Sequence, residues 1–472
     1  MTNPSEQAVT ENRGRGSVVL QDVLPLEHAK LPPPTASSYR WIILGLAFWG
    51  TTINYVDRQV WNILGPFVAD MYHITKPQWG IIGSAFAWSY AFGQLMAGGI
   101  LDRVGVRIGY PVGLALWSIV AIAHAWAVGI GGAVGSVLGL SVGSAAVGFV
   151  FLRSLLGITE SPNYPAVTKA LSEWFPKKER AFAMGWVNAG SNVGILIALL
   201  LVEPITSRYG WQWAFVITGG LGFLWLMFWI PLYRPPHEHP RVSKEELAYI
   251  NSDPAEPTTR LPWRTLLAYK QTWAFALAKF ITDAMWWFYM VWFTQFLKDR
   301  YGLNLSTIGL PLIVVFLLAD IGSVGGGMLS SRMIRNGASI NRARKTALVM
   351  GAVLVMPIMF AAFPKNPWIS IVLLGLATAG HQAFSSNLYT LVSDTFPRRA
   401  VAGVAGIGGT FGYVGAALWA AASGYILVWT GNKYLILFVV AGLGYLVAFL
   451  IIHLLMPKLE PALIDGPRPD AR

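Results

Sequence analysis

Apolar runs long enough to cross a bilayer recur about twelve times along this chain of 472 residues. About 20 apolar residues span the hydrocarbon core as a helix, which satisfies its own backbone hydrogen bonds where no water can. Charged residues make up 12% of the chain, about half the share found in soluble domains. We predict an all-α integral membrane protein with twelve transmembrane helices, at residues 41–68, 79–101, 108–128, 144–171, 181–204, 213–233, 272–297, 306–330, 345–363, 368–393, 403–428 and 434–456.

The longest polar segment between these runs divides the chain into two halves of six helices. The string Trp174-Phe175-Pro176-Lys177-Lys178 in the first half is echoed by Thr395-Phe396-Pro397-Arg398-Arg399 in the second. Parallel repeats of this kind occur in transporters, where the substrate site lies between the repeats at the membrane midplane. The predicted organisation is a disordered cytosolic tail (1–38), a six-helix bundle (39–233), a cytosolic loop (234–271), a second six-helix bundle (272–457) and a cytosolic tail (458–472).

Basic residues are concentrated in alternate connections between the predicted helices, those on the side of the N-terminus. By the positive-inside rule, both termini are expected in the cytoplasm. The net charge of +12 then reflects orientation and attraction to lipid headgroups, so nucleic acid is not an expected partner. The chain has no cysteine, which removes any disulfide or thiolate-metal site, and we expect no metal.

Charged side chains inside two of the predicted spans point to a function. Asp57 and Arg58 lie in the first span, and Arg153 and Glu160 in the fourth. A charge at membrane depth costs at least about 2.5 kcal/mol, so each is a candidate functional residue. Arginines suit an anionic ligand, and carboxylates that can be made to titrate suit proton coupling. The pattern favours a transporter of an organic anion.

Helical geometry constrains how these four charges face. Arg153 and Glu160 are seven residues apart and share one face, about 10 Å apart along the axis. Adjacent Asp57 and Arg58 point about 100° apart. We expect Arg58 to face the central cavity and Asp57 to turn toward the fourth helix and Arg153. The alternative is a buried ion pair used only for packing.

The second half offers further candidates. Lys279 and Asp283 are four residues apart, which favours a local ion pair. Trp286 and Tyr289 share a face that could stack on a sugar ring, although tryptophan at helix ends often only anchors to headgroups. Asp320 lies in the eighth span, and the sequence does not identify a partner for it. Polar residues also cluster in the tenth span; they are His381, Gln382, Ser385, Ser386 and Asn387. Of these, Asn387 suits substrate hydroxyls, whereas His381 favours a structural role.

The loop string Gly98-x-x-x-Asp102-Arg103-x-Gly105-x-Arg107 resembles the loop motif of the major facilitator superfamily, with Val106 where a basic residue is usual. Within that superfamily, the segments 53–58 and 174–180 and the Arg153 to Glu160 spacing resemble the anion:cation symporters. Segments 279–289 and 381–388 are similar to the bacterial hexuronate transporters, and the likeness covers nearly the whole chain between the tails.

The resemblance implies a major facilitator fold and assigns roles to residues of this sequence. It implies that Arg58 binds the substrate carboxylate and that Asp57 and Glu160 bind protons. Tyr55 and Tyr90 resemble substrate-contacting tyrosines, although an interface tyrosine is about as good a reading of each alone. Arg153, Trp286, Tyr289, Asn387 and His381 complete the candidate substrate site. The driving force would be a proton gradient, without a cofactor.

Two further groups of residues suggest how such a carrier would move. Asp102 and Arg103, and the cluster Lys177, Lys178 and Arg180, are placed to act as cytosolic gating latches between the bundles. Three pairs of glycines at four-residue spacing would allow close approach of helices from opposite bundles; they are Gly190 and Gly194, Gly322 and Gly326, and Gly408 and Gly412.

We therefore expect a proton-coupled symporter of the inner membrane, a monomer, that imports a hexuronate or related sugar acid by alternating access. An aldonate or an aromatic carboxylate would also offer a carboxylate to Arg58, and a substrate sensor that keeps the fold without net transport is the alternative of a different class. An enzyme is poorly supported, because the sequence shows no nucleophile with a neighbouring base and no metal-ligand cluster.

Overall fold

The computed structural model describes residues 38–139, 143–252 and 261–462, and these residues form helices joined by short connections, without a strand. The predicted tails therefore lie almost entirely outside the described residues, as does part of the central loop. The fold is all-α, as predicted. We call the end that carries Tyr39 and Ala462 the near end, and the end that carries the turn between the first two helices the far end.

The first half contains eight α-helices that make six long rods. Residues 124–126 form a single 3₁₀ turn that joins α3 to α4, so the third rod runs on to Leu138, beyond the predicted end at 128. The helices are α1 (Tyr39–Met71), α2 (Lys76–Val104), α3 (Val106–Ala123), α4 (Ala127–Leu138), α5 (Ser144–Glu160), α6 (Asn163–Trp174), α7 (Lys177–Tyr209) and α8 (Trp211–Leu232).

The fourth rod is interrupted between α5 and α6. Two prolines, Pro162 and Pro165, remove backbone hydrogen bonds there and clash with the preceding turn. The break lies directly after Glu160, which is the last residue of α5. The carboxylate of Glu160 is thereby held at a helix end in the middle of the rod.

The second half repeats the plan after two short helices of the central loop. A 3₁₀ segment at residues 356–360 extends α13. The helices are α9 (Lys244–Ile250) and α10 (Trp263–Leu266) in the loop, then α11 (Lys270–Tyr301), α12 (Leu305–Arg335), α13 (Ile340–Val355), α14 (Pro367–Thr395), α15 (Arg398–Trp429) and α16 (Leu435–Leu455).

Nine of the rods in the described part of the chain are long and apolar enough to cross a membrane. The remaining three, α1, α2 and α11, have 29 to 33 residues and are more polar. They carry the candidate site residues Arg58, Tyr90 and Trp286, and charged residues at their ends and inside α11 also lower their hydropathy. Together the rods match the twelve predicted spans.

The two halves meet mainly along α2 and α15, with α1 against α11 and α12 and α7 against α12. Near the far end the backbones of α2 and α15 touch. A Cβ atom on Gly80 would lie 2.5 Å from the carbonyl oxygen of Ala420, and one on Gly424 would collide with the backbone at Lys76. These glycines, which were not predicted from the sequence, allow the contact between halves.

The predicted role of the three glycine pairs is wrong, because each pair packs helices of the same half. Gly190 of α7 lies against Phe48 of α1, where a Cβ would be 2.8 Å from its carbonyl oxygen. Gly326 of α12 lies against Ala383 of α14, and Gly408 of α15 against Phe275 of α11. Small residues bring backbones into permanent contact, which suits rigid packing inside a bundle better than a sliding surface.

Ion pairs tie the two halves together at the far end. Lys76 of α2 pairs with Asp299 of α11, and Lys298 pairs with Asp70 of α1. Asp299 also accepts hydrogen bonds from Tyr434 (2.8 Å) and Gln295 (2.7 Å). The far end of the described structure is therefore closed.

The predicted near-end latches make contacts within the first half. Lys169 of α6 pairs with Asp102 at 3.0 Å. Arg180 donates hydrogen bonds of 2.8 Å to the carbonyl oxygens of Phe175 and Ser172, which caps the end of α6. Arg103 is exposed, and the side chains of Lys177 and Lys178 lie outside what the structure describes. A gating role for these residues stays a prediction.

The central loop is anchored to the first half through Glu246 of α9, which is fully buried. Its carboxylate accepts hydrogen bonds from the backbone N–H groups of Tyr39 (3.2 Å) and Arg40 (3.1 Å) and pairs with the Arg40 guanidinium. The first N–H groups of a helix have no partner within the helix, and its N-terminus favours negative charge. Glu246 therefore caps α1 from outside.

Replacing Glu246 with alanine should lower the apparent melting temperature in detergent, because the buried donors at the start of α1 lose their acceptor at a cost of about 1–3 kcal/mol. Glu245→Ala, a change at the exposed neighbouring position, is the control and should leave melting unchanged. Equal melting temperatures for the two variants would contradict the capping role.

Candidate functional site

A buried ion pair joins α1 to α5 in the centre of the first half. Arg58 donates to the same oxygen of Glu160, Oε2, from Nη2 at 2.8 Å and from Nε at 3.2 Å. The Glu160 side chain has no exposed surface and that of Arg58 is 10% exposed. Asn54, one turn earlier on α1, accepts a longer bond of 3.4 Å from Nη2. The two residues predicted to bind substrate and proton are therefore in direct contact.

Aromatic rings enclose the Arg58 guanidinium. Its central carbon lies 5.0 Å from the ring centres of Tyr55 and Tyr90 and 5.2 Å from that of Phe86. Such contacts stabilise a cation by about 0.5–2 kcal/mol each, the more so without water. The Tyr90 ring in turn lies 4.6 Å from Tyr413 of α15, so the surroundings of Arg58 extend to the second half.

Tyr413 was missed from the sequence, although the signal existed. It is a tyrosine in the middle of an apolar, glycine-rich span, which is the same feature that singled out Tyr90. A polar ring tip at that depth needs a partner, and residues from the opposite repeat supply it.

Arg153 does not pair with the carboxylates predicted for it. It is 1% exposed, and its guanidinium carbon lies 4.4 Å from the Phe86 ring and 6.0 Å from that of Trp61. Among the described residues, its Nε and Nη1 atoms have no hydrogen-bond partner. Glu160, on the same face of α5, is taken by Arg58 instead.

The expectation that Asp57 turns toward Arg153 is wrong. Asp57 lies beside Trp117 of α3 and Thr218 of α8, and neither carboxylate oxygen closes a hydrogen bond within the described part of the chain. The cause is the rotation of about 100° between neighbouring residues. Since Arg58 points to α5, Asp57 must point to the other side of α1.

These unsatisfied groups argue against a site that serves packing alone. A buried ion pair kept for structure is expected to satisfy both members with hydrogen bonds. Among the described residues, the carboxylate of Asp57, the Nε and Nη1 atoms of Arg153 and the Oε1 atom of Glu160 itself are buried without a hydrogen-bond partner. Buried polar groups left in this state are concentrated at functional sites.

In the second half, the local ion pair favoured by the sequence is present. Lys279 lies 2.7 Å from Asp283 and 4.6 Å from the ring centre of Tyr389. Asp283 packs against Gly412 of α15, where a side chain would collide with the carboxylate. The pair therefore joins α11 to α14 and α15.

Trp286 stacks on His381, with ring centres 4.5 Å apart and planes within 14°. His381 is buried, and its Nδ1 hydrogen-bonds the Tyr445 hydroxyl at 2.7 Å. Tyr445 also donates to the carbonyl oxygen of Thr282 at 3.3 Å. The histidine thus holds the Trp286 ring in place, in agreement with the structural reading of His381.

The other two candidates of the second half are buried. Tyr289 is 1% exposed and stacks on Phe293 in the core, so it forms no common wall with Trp286. Asn387 donates from Nδ2 to the carbonyl oxygens of Gly326 (3.0 Å) and Ala383 (2.9 Å), which joins α12 to α14. Its Oδ1 has no hydrogen-bond partner among the described residues, so binding of substrate hydroxyls by Asn387 stays a prediction.

A small cleft lies between the halves, formed by α7, α11, α12 and α14. Trp286 and Gln382 line it together with Asp320 and Asn192. Asn192 donates a hydrogen bond of 2.5 Å to Asp320. Asn192 is therefore the partner of Asp320 that could not be identified from the sequence. The two residues are on opposite halves, and no local spacing signals their contact.

Across residues 38–139, 143–252 and 261–462, no group of three or more histidine, aspartate or glutamate side chains is arranged to hold a metal ion. The chemistry of the site is therefore described through its arginines, carboxylates and aromatic rings.

The family model described as the Major Facilitator Superfamily matches residues 47–420, most of the chain. The chain belongs to this superfamily. It is a multi-pass membrane transporter, not an enzyme.

Curated relatives narrow the similarity. The chain is 34% identical over 388 residues to the hexuronate transporter of Escherichia coli (strain K12), an alignment that covers 81% of this chain and 86% of the relative. It is 30% identical to a D-galactonate transporter of Escherichia coli O6:H1, with 80% and 86% covered. A probable galactarate/D-glucarate transporter of Bacillus subtilis (strain 168) is 28% identical, with 85% and 88% covered.

Solved structures share the fold of the transporter. A bacterial homologue of the human lysosomal transporter Spinster, in an inward-facing and unoccupied conformation, superimposes with a TM-score of 0.71 at 17% identity over 91% of this chain and all of the other. A D-xylose-proton symporter gives 0.70 at 14% identity, with 90% and 100% covered. These likenesses support the two-bundle architecture.

Substitutions of the two carboxylates, Asp57 of α1 and Glu160 of α5, should have different effects on stability. Asp57→Asn removes a buried charge that closes no hydrogen bond and should leave the unfolding transition in detergent unchanged or raised. Glu160→Leu leaves Arg58 buried without its partner and should lower stability by about 3–5 kcal/mol. Equal destabilisation by both variants would contradict this description of the site.

Proposed function

We propose that this transporter is a proton-coupled symporter that imports an organic anion, a hexuronate or a related sugar acid. The observation that carries the proposal is the pair between Arg58 and Glu160, in which two guanidinium donors are held by a single carboxylate oxygen. A substrate carboxylate would need those same donors.

Competition for Arg58 would couple the proton to the substrate. When Glu160 is ionised, it occupies the guanidinium and the substrate carboxylate must displace it. A proton on Glu160 cancels its charge and frees Arg58, so that proton and anion favour each other's binding in the same carrier state. The proton and the substrate are then carried in the same direction, because both enter and leave the carrier together.

Asp57 and Arg153 would tune this exchange from either side. Asp57 is a buried carboxylate on α1 that closes no hydrogen bond, so it is the second candidate for a transported proton. The guanidinium of Arg153 packs on the Phe86 ring, which also contacts Arg58, and it adds positive charge near Glu160. We assign Arg153 to the electrostatics of the site, and Arg58 to direct contact with substrate.

The rest of the cargo would lie against aromatic rings. Tyr55, Tyr90 and Tyr413 surround the guanidinium, and Trp286 faces the cleft between the halves. Sugar acids combine a carboxylate with a ring or chain of hydroxyls, which suits this mixture of cation, phenol and indole. The names of the relatives favour sugar acids over aromatic carboxylates.

Alternating access would open and close the two ends in turn. The described state is tied at the far end by the ion pairs of Lys76 and Lys298. With both termini in the cytoplasm and the protein in the inner membrane, as the basic residues favour, this is the state closed to the outside.

Arg58→Lys should abolish most transport and weaken substrate binding about tenfold or more, although the charge is kept. A planar donor that forms two bonds and stacks among three rings is replaced by a point charge. Binding of glucuronate and galactonate to purified protein, measured by thermal shift, checks this; Arg107→Lys at the exposed near-end loop is the control. Near-normal affinity in the Arg58 variant would remove Arg58 from the site.

Glu160→Gln should separate substrate exchange from proton-driven accumulation, because glutamine imitates the protonated acid and keeps an acceptor oxygen for Arg58. Exchange of labelled for unlabelled substrate across proteoliposomes should survive. Uphill accumulation driven by an imposed pH gradient, expected of the wild type, should be lost.

Three results would count against this coupling scheme. A Glu160→Gln carrier that still concentrates substrate would move the coupling role to Asp57. A wild-type protein that binds sugar acids without exchanging them would indicate a sensor. Loss of both activities with loss of the fold would favour a purely structural ion pair.

A further inference from the structure

The cleft between the halves holds an acidic residue that the coupling scheme above does not use. Asp320, in the middle of α12, is partly buried, lines the cleft and accepts the bond of 2.5 Å from Asn192 of α7. An ionisable residue at membrane depth that faces a cavity is a functional-site candidate. Its partner is a neutral amide, so its charge is not cancelled there.

This cleft shares Trp286 with the candidate substrate site. Gln59, the residue after Arg58, contacts Met290, which lies one turn after Trp286 on α11. On α7, Gly194 packs against Tyr55, whose ring faces the guanidinium, and Asn192 on another face contacts Asp320. Under the proposed function, a cargo held by Arg58 and packed on Trp286 would lie toward Asp320.

The lining of the cleft suits hydroxyl groups. A carboxylate only accepts hydrogen bonds, and a hydroxyl can donate one; Asn192 and Gln382 can donate and accept, and the Trp286 ring offers a face to apolar carbons. Among the described residues, none of the side chains that line the cleft is basic. A second carboxylate on the cargo would meet Asp320 without a cation to offset the repulsion.

We propose that Asp320 is a specificity residue that restricts the cargo to sugar acids with a single carboxylate. The inference rests on the proposed function and narrows it. The relatives named above include carriers of both kinds, since hexuronate and galactonate carry one carboxylate and galactarate and glucarate carry two. Similarity of 28–34% does not choose between them, whereas the charge of the cleft does.

The test compares cargoes that differ only at the far carbon. Galactonate and galactarate share their stereochemistry, and the second has a carboxylate where the first has a hydroxymethyl group; glucuronate and glucarate form a parallel pair. Binding by thermal shift and counterflow in proteoliposomes should favour the monoacid of at least one pair by about tenfold or more in the wild type, because like charges brought together cost several kcal/mol.

Asp320→Asn should reduce that preference by about tenfold, chiefly through a gain in diacid binding, since the repulsion is removed while the shape is kept. Asn192→Ala keeps the carboxylate and should keep the discrimination. Glu203→Gln, which neutralises an acid of α7 outside the cleft, is the matched control and should leave the ratio unchanged.

A wild type that takes the diacid as well as the matching monoacid in every pair it binds would overturn the inference, and this measurement does not depend on whether the variants fold. An unchanged ratio in a folded Asp320→Asn protein would also overturn it while leaving the sugar-acid proposal intact. Failure of the wild type to bind any of the four acids would overturn the proposed function itself, and this inference with it.

Discussion

The pairing of Arg58 with Glu160 is the interaction on which the rest of the site depends. A guanidinium keeps its charge at any physiological pH, so inside a membrane its burial is costly unless an anion or aromatic rings offset the charge. For Arg58, Glu160 supplies the anion in the described state, and the break after α5 places its carboxylate in reach. A ligand anion that bound the arginine would have to replace this partner, so under the proposed function the exchange of one anion for another is the elementary step at the site.

Hydropathy and intramembrane charge were sufficient to predict the rods and to single out Arg58 and Glu160, although not to predict that the two residues pair. Apolar length finds helices because lipid demands it, and Asp57, Arg58 and Glu160 stand out because charge is rare at that depth. The neighbours of each charge were harder to predict. Asp57 faces α3 and α8, and Asn192 meets Asp320, because of how whole helices rotate and cross. A contact between residues 128 positions apart on different halves leaves no trace in local spacing.

The glycines show that helix packing within each half differs from helix packing between the halves. Gly190 and Gly326 bring backbones together within a half, and Gly408 makes room for the Phe275 ring, so helices of one half pack closely. Between halves, backbone contact is concentrated where Gly80 and Gly424 join α2 to α15 near the far end. The polar contacts there involve side chains, which can separate without disturbing a helix. A rigid pair of bundles with a separable boundary is the mechanical basis for rocking.

The ion pairs of the far end differ from the central pair in their access to water. The side chains of Lys76 and Asp299 are 20% and 25% exposed, and Asp70 is 68% exposed. Pairs that reach solvent are stabilised by only about 0–1 kcal/mol, since water and salt replace each partner at little cost. These pairs therefore add little to the free energy that holds the far end closed. Because salt screens them, the ionic strength of the medium at the far end is one of the quantities that would set how often this end opens under the proposed function.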